Sequence, residues 1–383
     1  MALKGYFDNA ATTLVKPEGM YEYVVEYMKD CGANVSRGSY ATAKSATKIV
    51  RDTRDLLLQL VHAPKTKEVV FTPSATIALN TILSGQNLGE KDIVYISPFE
   101  HNAVLRSLHS LQNKYKFKIE YLATSSSSIS FDFSIIKNQF LKNRPSLVII
   151  SHVSNVLGLV APIKNIAEEA KKYNAIVVVD AAQACGIIDI EVNQDIDYYV
   201  FAGHKTLLAP FGVGGFICNK NTTLPPFVYG GTGVDSANIE MPNTVPERYE
   251  AGSQNIMAIS GLYYSLSWIL NNIEFYRNKE RENQRKLKEL LSSYDFINLI
   301  GVDGESISIV SCTFDSLTSD EAGILLAERG VAVRTGLHCA PVAHKMLGSF
   351  PEGLIRFSVS CFTDEKDFEV LQQALDDLAE ELL

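Results

Sequence analysis

The sequence is poor in cysteine, and its few cysteines are widely spaced. There are six in 383 residues, and no two are separated by only two residues. They are Cys31, Cys185, Cys218, Cys312, Cys339 and Cys361. This spacing excludes the disulfide framework of a small secreted protein and lacks the paired cysteines of common zinc sites. We therefore expect a protein of the reducing cytoplasm.

The sequence also lacks a long apolar run and an excess of positive charge. No run reaches the roughly 18 residues needed to span a bilayer. The first residues, MALKGYFDNAATT, lack the apolar core of a signal peptide. The formal net charge is −9, whereas a surface that binds nucleic acid is basic. We expect neither a membrane nor a nucleic acid as a partner.

What the sequence does contain is a series of short apolar runs alternating with longer amphipathic segments. The runs are EVVF, DIVYIS, FKIEYLA, SLVIIS, AIVVVD and DYYVFA. Strand, helix and strand in series indicate a mostly parallel sheet with helices on both faces. The chain is too long for one ordinary core, and its character changes near Met257. We predict an α/β protein with a large domain over residues 16–256. A smaller α+β domain is predicted over residues 257–383, together with residues 1–15.

Polar residues follow several of these apolar runs. In open α/β sheets, ligands bind outside the carboxyl ends of the strands, so we expect these groups to share one crevice. The groups are Ser97–His101, Ser151–Asn155, Asp180–Gln183, His204–Lys205 and, at the start of a helix, Ser74–Thr76.

Lys205 and Asp180 are the most informative pair among these groups. Asp180 follows four aliphatic residues, and an ionised acid at a buried strand end needs a cationic partner. One interpretation is a structural ion pair between the two residues. The other is a pyridoxal phosphate site, where a lysine joins the cofactor's aldehyde and an acid keeps its ring nitrogen protonated.

The remaining polar groups fit such a cofactor. Ser74–Thr76 begins a helix, where free N–H groups favour a phosphate, although an ordinary helix cap has the same pattern. His204 would add a donor, His101 would stack on the ring, and Asn155 and Gln183 would contact the phenolic oxygen.

The segment VAVRTGLHCAPVAHKMLG presents Cys339 on a glycine-containing loop. The nearby Arg334 and two histidines favour a reactive thiolate, and the alternative is an inert, half-buried cysteine. A metal site formed by His338, Cys339 and His344 matches no standard zinc spacing, so we predict no metal.

Downstream, Arg356 is suited to binding the carboxylate of an amino acid, unless it forms only a surface ion pair.

Seven segments together resemble the motifs of the class V aminotransferase superfamily, in its cysteine desulfurase and selenocysteine lyase branch. They are YFDNAATT, EHNAV, SHVSNVLGLVAPIKNI, VVVDAAQA, VFAGHK, EAGSQN and RTGLHCAP. The resemblance covers nearly the whole chain, and the short RTGLHCA loop is similar to the group with a compact cysteine loop. It implies the pyridoxal-phosphate-dependent transferase fold of type I, a mostly parallel seven-stranded sheet, and a homodimer with active sites at the subunit interface.

The resemblance also implies roles for individual residues. Lys205 matches the lysine that carries the cofactor, and Cys339 matches the cysteine that forms the persulfide. Arg356 matches the carboxylate clamp, and Asn155 also borders the substrate. The implied cofactor contacts are Ala75, Thr76, His101, Asn155, Asp180, Gln183, His204, Lys205 and, from the neighbouring subunit, Ser253.

The implied reaction converts L-cysteine to L-alanine with transfer of sulfur to Cys339 and then to an acceptor, with His101 as proton carrier. Alternatives are a selenocysteine lyase, a class V aminotransferase and a catalytically idle scaffold for sulfur-assembly partners. The chain departs from the family pattern at Ala202, where a serine is common, at Ile77, which replaces an acid, and at Arg37, where a histidine is common.

Overall fold

The computed structural model describes residues 5–35, 38, 40–125 and 129–382, so Arg37 lies outside the described residues. The strands are β1 Gly5–Tyr6, β2 Lys67–Thr72, β3 Ile93–Ile96, β4 Lys118–Tyr121, β5 Thr124–Ser125, β6 Ser130–Phe131, β7 Leu147–Ser151, β8 Ile176–Asp180, β9 Tyr198–Ala202, β10 Gly214–Asn219, β11 Ile297–Leu299, β12 Ile309–Phe314, β13 Val331–Ala332, β14 Arg334–Gly336 and β15 Leu354–Ser358. The helices are α1 Met20–Cys31, α2 Ala41–Leu60, α3 Ala75–Ser84, α4 Asn102–Tyr115, α5 Phe133–Lys142, α6 Ile163–Lys171, α7 Ile256–Asn271, α8 Ile273–Ser292, α9 Ser319–Glu328, α10 Pro341–Leu347 and α11 Glu365–Leu382. Within the described ranges, no helix is both long and apolar enough to cross a membrane.

Seven strands form the central sheet, in the order β2-β10-β9-β8-β7-β3-β4. All neighbouring strands pair in parallel except β10, which is antiparallel to both β2 and β9. The central strands are aliphatic and buried on both faces, as expected for a parallel sheet covered by helices. The predicted fold class is confirmed.

The six predicted apolar runs all form strands of this sheet, and β10 is the strand that the apolar pattern does not predict. It begins with Gly214 and Gly215. A Cβ atom on Gly215 would lie 2.1 Å from the carbonyl oxygen of Val70 on β2, so only glycine permits this close pairing. Because these glycines replace apolar side chains at the start of β10, the apolar pattern that predicts the other strands is missing there.

The C-terminal part of the chain forms a separate antiparallel sheet in the order β11-β12-β15-β14. Its own core includes Leu326, Phe357 and Leu371. The N-terminal segment joins this unit, since β1 pairs in parallel with β13 and Phe7 lies in the same core.

Helix α7 packs with the large domain, although the predicted boundary at residue 257 assigns nearly all of it to the small domain. Its buried residues, among them Leu262 and Leu266, belong to the core of the large domain. The side chain of Ser265 donates to the carbonyl oxygen of Leu208, which follows the central strand β9. The packing therefore places α7 with the large sheet, and the remaining domain boundaries stay predictions.

Candidate active site

A cavity of about 280 Å³ lies between the carboxyl ends of the central strands and the small domain. Every predicted site residue lines it except Ser253. Its lining includes Ala75, Thr76, His101, Asn155, Asp180, Gln183, His204, Lys205, Cys339 and Arg356. Parallel register explains the convergence of the strand ends, since Ser151 at the end of β7 pairs with Asp180 at the end of β8. The predicted crevice is therefore present.

Ser253 lies outside this cavity. It is exposed and accepts a hydrogen bond from Asn34 Nδ2 at 3.4 Å. It lines a second, larger cavity of about 440 Å³ that is rimmed by Phe227 and Val228. Within one chain, Ser253 contributes nothing to the site, and its predicted role in a neighbouring subunit stays a prediction.

Lys205 follows β9 on a turn that the N-terminal segment holds in place. The Thr13 hydroxyl donates to the carbonyl oxygen of Lys205 at 2.9 Å, and the Thr12 hydroxyl donates to that of His204 at 3.1 Å. Burial lowers the pKa of the Lys205 amine to about 8, against the opposing attraction of Asp180. Nζ of Lys205 makes no hydrogen bond or ion pair with any residue that the structure describes. Among these residues, Lys205 and Asp180 therefore do not form the structural ion pair.

Asp180 ends β8 with its side chain buried. Its Oδ1 atom accepts from the Ala182 backbone N–H at 3.0 Å. Burial raises the pKa of the carboxyl group, while that hydrogen bond and Lys205 oppose the shift. A buried acid aimed into a cavity is suited to pairing with a protonated ring nitrogen.

His101 caps the start of α4 and presents one ring nitrogen to the cavity. Its Nδ1 atom accepts from the Ala103 backbone N–H at 3.0 Å, so a neutral ring carries its proton on Nε2. Burial, followed by the charge of Lys205, lowers the pKa of His101 to about 4. The ring is therefore neutral at physiological pH.

Asn155 and Gln183 are already hydrogen-bonded to the protein. Asn155 Nδ2 donates to the carbonyl oxygen of His338 at 2.6 Å, and Gln183 Nε2 donates to that of Ala10 at 2.8 Å. Each amide nitrogen carries two hydrogens, so one N–H of each remains for a ligand.

The start of α3 and His204 form the part of the cavity suited to a phosphate. Ser74 caps the helix by accepting from the Ile77 backbone N–H at 3.4 Å, which leaves the N–H groups of Ala75 and Thr76 at the cavity. A Cβ atom on Gly214 would lie 2.8 Å from the Ala75 nitrogen, so glycine allows β10 to support this turn. The His204 ring stacks on Phe211 with centroids 4.6 Å apart, and its buried Nδ1 atom has no partner among the described residues. The N–H groups and this unsatisfied nitrogen fit the phosphate of pyridoxal phosphate.

Cys339 lies on the loop between β14 and α10, with its backbone in the left-handed conformation at φ 57°. The Asn102 backbone N–H donates to the Cys339 carbonyl oxygen at 2.7 Å, which ties the loop to the start of α4. Its Sγ atom lies 3.7 Å from Arg334 Nη2. Cys339 is half-buried and borders the cavity, whereas Cys185, Cys218, Cys312 and Cys361 are buried. Its placement differs from that of an inert core cysteine.

Arg356 lies on β15, and its side chain is 2 % exposed. Nη1 donates to the Asn155 carbonyl oxygen at 2.9 Å, and Nη2 donates to Asp8 Oδ1 at 2.9 Å. Nε is buried and has no partner among the described residues. Each terminal nitrogen therefore keeps one N–H without a partner among the described residues, and these two donors remain for a ligand.

Two residues of the site are not predicted as such from the sequence. Asp8 is visible there only as part of the motif YFDNAATT, and Arg334 only as a charge near Cys339. The structure reveals the position of Arg334, because the register of β14 and β15 sets it opposite Arg356. Two adjacent cations at one cavity indicate an anionic ligand.

Comparison with known proteins agrees with this geometry. The model of the family described as aminotransferase class-V matches residues 5–371. The chain is 29 % identical over 388 residues to a probable cysteine desulfurase of Vibrio cholerae, covering 97 % of this chain and 92 % of the relative. It is 31 % identical over 367 residues to one of Borreliella burgdorferi, covering 91 % and 84 %. The apo structure of the cysteine desulfurase of Thermococcus onnurineus superposes with a TM-score of 0.88 at 27 % identity, covering 98 % and 94 %. The predicted family is confirmed: the chain belongs to the class-V aminotransferases.

Proposed function

We propose that this chain is a cysteine desulfurase that uses pyridoxal phosphate and transfers the sulfur of L-cysteine to Cys339, leaving L-alanine. One observation carries the proposal. The Lys205 amine, the Asp180 carboxyl group and the Cys339 thiol all face a single cavity between the two domains. Lysine and acid suit the cofactor, and only sulfur transfer also needs the thiol.

The residues that would hold the phosphate and the ring nitrogen of the cofactor lie in two parts of the cavity. Ala75, Thr76 and His204 would bind its phosphate, and Asp180 would pair with its ring nitrogen. Bound through its aldehyde, pyridoxal phosphate supplies a ring that withdraws electrons from the substrate's α-carbon.

Lys205 and Arg356 would bind and activate the substrate. The remaining N–H groups on the two terminal nitrogens of Arg356 would hold the carboxylate of cysteine and thereby orient its α-carbon. The amine of Lys205 has a pKa lowered to about 8, so a useful fraction is neutral near pH 7 and can take the α-proton at Nζ.

Cys339 would then accept the sulfur. Its thiolate attacks the substrate sulfur, an S–S bond forms, and the bond between Cβ and sulfur breaks with its electron pair staying on carbon. The thiol proton of the substrate, carried by Nε2 of His101, is delivered to Cβ and completes the methyl group, and Lys205 Nζ returns a proton to the α-carbon to give alanine. Arg334, whose Nη2 atom lies 3.7 Å from Sγ, would hold the sulfur at the cavity before the attack.

The proposal extends to a homodimer in the cytoplasm that passes sulfur to an acceptor protein. Phe227 and Val228 are 44 % and 50 % exposed at the cavity that Ser253 lines, and the next residue, Tyr229, is 71 % exposed. Such apolar exposure favours coverage by a second copy, which would bring Ser253 to the partner's phosphate site. Sedimentation of a monomer at micromolar concentration would exclude this arrangement.

The names of the relatives favour desulfurase over the alternatives. An aminotransferase has no use for a thiol at the cavity, whereas a desulfurase and a selenocysteine lyase differ in the amino acid that they turn over. Turnover of L-cysteine is therefore the deciding measurement.

The test uses the protein loaded with pyridoxal phosphate, L-cysteine and a thiol reductant, with alanine and sulfide both quantified. We expect equimolar products from the wild type and at least a hundredfold loss of both in Cys339→Ala and in Lys205→Ala. Cys31→Ala, a half-buried cysteine outside the cavity, is the control and should keep full activity. Full sulfide release by Cys339→Ala would overturn the persulfide step.

A further inference from the structure

Two histidines beside the active cysteine have no role in the reaction described above. His338 immediately precedes Cys339, and His344 lies on α10. Both side chains are buried, with His344 at 0 % exposure and His338 at 3 %. Their rings stack at a centroid distance of 5.5 Å and an interplanar angle of 26°. Two buried imidazoles in contact require hydrogen bonds that satisfy their ring nitrogens.

The contacts form a chain in which the direction of every hydrogen bond is determined. His338 Nε2 lies 3.2 Å from the carbonyl oxygen of Arg334, and a carbonyl only accepts, so Nε2 carries the proton. His338 Nδ1 is then an acceptor, and His344 Nε2, at 3.4 Å, must donate to it. His344 Nδ1 in turn accepts from the Ser349 hydroxyl at 2.8 Å. Burial lowers the pKa of His338 to about 2 and that of His344 to about 4, consistent with two neutral rings.

The chain ends on the segment that carries the thiol. His338 and Cys339 both have left-handed backbones, at φ 48° and 57°, which residues with side chains rarely adopt. The side chain of His338 is bonded to the carbonyl group of Arg334, and its own carbonyl oxygen accepts from Asn155. The same histidine therefore fixes the loop and the backbone of the arginine that contacts Sγ.

We propose that His344 is a positioning residue for Cys339. Its Nε2–H fixes the tautomer of His338 that binds the Arg334 carbonyl group and so holds the left-handed loop with the thiol at the cavity. The inference deepens the proposed function and rests on it for its kinetic consequence. The two groups that hold Arg356, Asp8 Oδ1 and the Asn155 carbonyl oxygen, are not themselves links of this chain of bonds.

The test compares His344→Leu, which removes the donor, with His344→Gln, whose side-chain amide donates from a similar position. His109→Leu, on the exposed face of α4, is the control. We expect the rate of persulfide formation on Cys339 and kcat to fall about tenfold in His344→Leu, with KM for cysteine within twofold. His344→Gln should restore both rates to within about threefold of the wild type. Unchanged rates in His344→Leu, or equal losses in both variants at full folding, overturn the proposal.

A second measurement needs neither cofactor nor cysteine. The ¹⁵N resonances of the His338 ring, assigned by comparison with His338→Gln, should show a proton on Nε2 and none on Nδ1, with no titration between pH 5 and 8. Ser349→Ala, which leaves His344 Nδ1 without its donor, should populate the other tautomer of His344. A proton on His338 Nδ1 overturns the inference even if the proposed function holds. If His338 has the expected tautomer but the wild type forms no persulfide, only the proposed function is overturned.

Discussion

Asp8 and Arg356 are 348 positions apart in the sequence and form an ion pair at the wall of the cavity. The distance between Asp8 Oδ1 and Arg356 Nη2 is 2.9 Å, and the arginine side chain is 2 % exposed. The pair joins the N-terminal motif to the last strand of the small sheet. A carboxylate of the protein thus holds the guanidinium that we propose as the clamp for the substrate's carboxylate.

Replacing Asp8 with asparagine should destabilise the protein. The amide side chain of Asp8→Asn would keep an acceptor oxygen but leave a buried guanidinium without a counter-charge. The free energy of unfolding should fall by about 2 kcal/mol, less than for a fully buried pair because Asp8 is partly exposed. Asp189→Asn is the control, since Asp189 pairs with Arg277 at 65 % exposure, and it should cost less than about 1 kcal/mol. Denaturant unfolding of the three proteins measures both values. Equal losses would show that the buried pair contributes no more than the exposed one.

The amine of Lys205 should react with acylating agents at unusually low pH. Its pKa is lowered to about 8 because burial disfavours the charged form, so in the cofactor-free chain its acetylation should be half-maximal near that pH. Asp180→Asn removes the attraction that opposes the shift, so the midpoint should move lower still. Mass spectrometry of the Lys205 peptide after brief acetic anhydride treatment measures both midpoints. A wild-type midpoint near the ordinary lysine value of about 10 would contradict the buried, unpaired amine.

Replacing Ala202 with serine should tighten the binding of pyridoxal phosphate. Ala202 ends β9 at the cavity, two residues before His204. A hydroxyl there adds one hydrogen-bond donor for the phosphate, worth about 1 kcal/mol or roughly a fivefold lower Kd. Ala103→Ser adds a hydroxyl elsewhere in the same cavity and should leave the Kd within twofold. Absorbance titration of the cofactor-free proteins with pyridoxal phosphate measures these Kd values. Identical Kd values for Ala202→Ser and wild type would contradict the prediction.

The convergence of the site was predictable because parallel strands end at a common edge. Asp180 and Lys205 follow uninterrupted apolar runs, which specify buried strands with polar ends. The antiparallel strand β10 was not predictable in the same way, because Gly214 and Gly215 are present for close packing and disturb the apolar pattern.

The hydrogen-bond partners of the site residues could not be predicted from the sequence, for a physical reason. The amides of Asn155 and Gln183 bind backbone carbonyl groups of His338 and Ala10, which are remote in the chain. Any residue supplies such a carbonyl, so no residue type marks it. The domain position of α7 was also obscured, since an apolar helix can pack in either core and only the folded structure shows which core contains it.

Glu280 on α8 should make the stability of the protein depend on pH. The side chain is 2 % exposed, accepts from the Ser308 hydroxyl at 2.6 Å and from the Cys361 backbone N–H at 2.9 Å, and joins α8 to the small domain. Burial raises the pKa of its carboxyl group from 4.5 to about 7. The folded state therefore holds this proton more tightly than the unfolded state. Its contribution to stability is complete below pH 4.5 and is lost as the pH rises through about 7.

Glu280→Gln removes this titration and keeps an acceptor for the Cys361 N–H. The free energy of unfolding of the variant, relative to the wild type, should therefore rise by roughly 2 kcal/mol between pH 5 and pH 9. Buried histidines titrate in both proteins and cancel in the difference. Glu365→Gln, an exposed partner of Lys286, should give a flat difference over the same range. Parallel stability curves for Glu280→Gln and wild type would mean that Glu280 stays ionised in the folded protein, with its two hydrogen bonds sufficient to offset its burial.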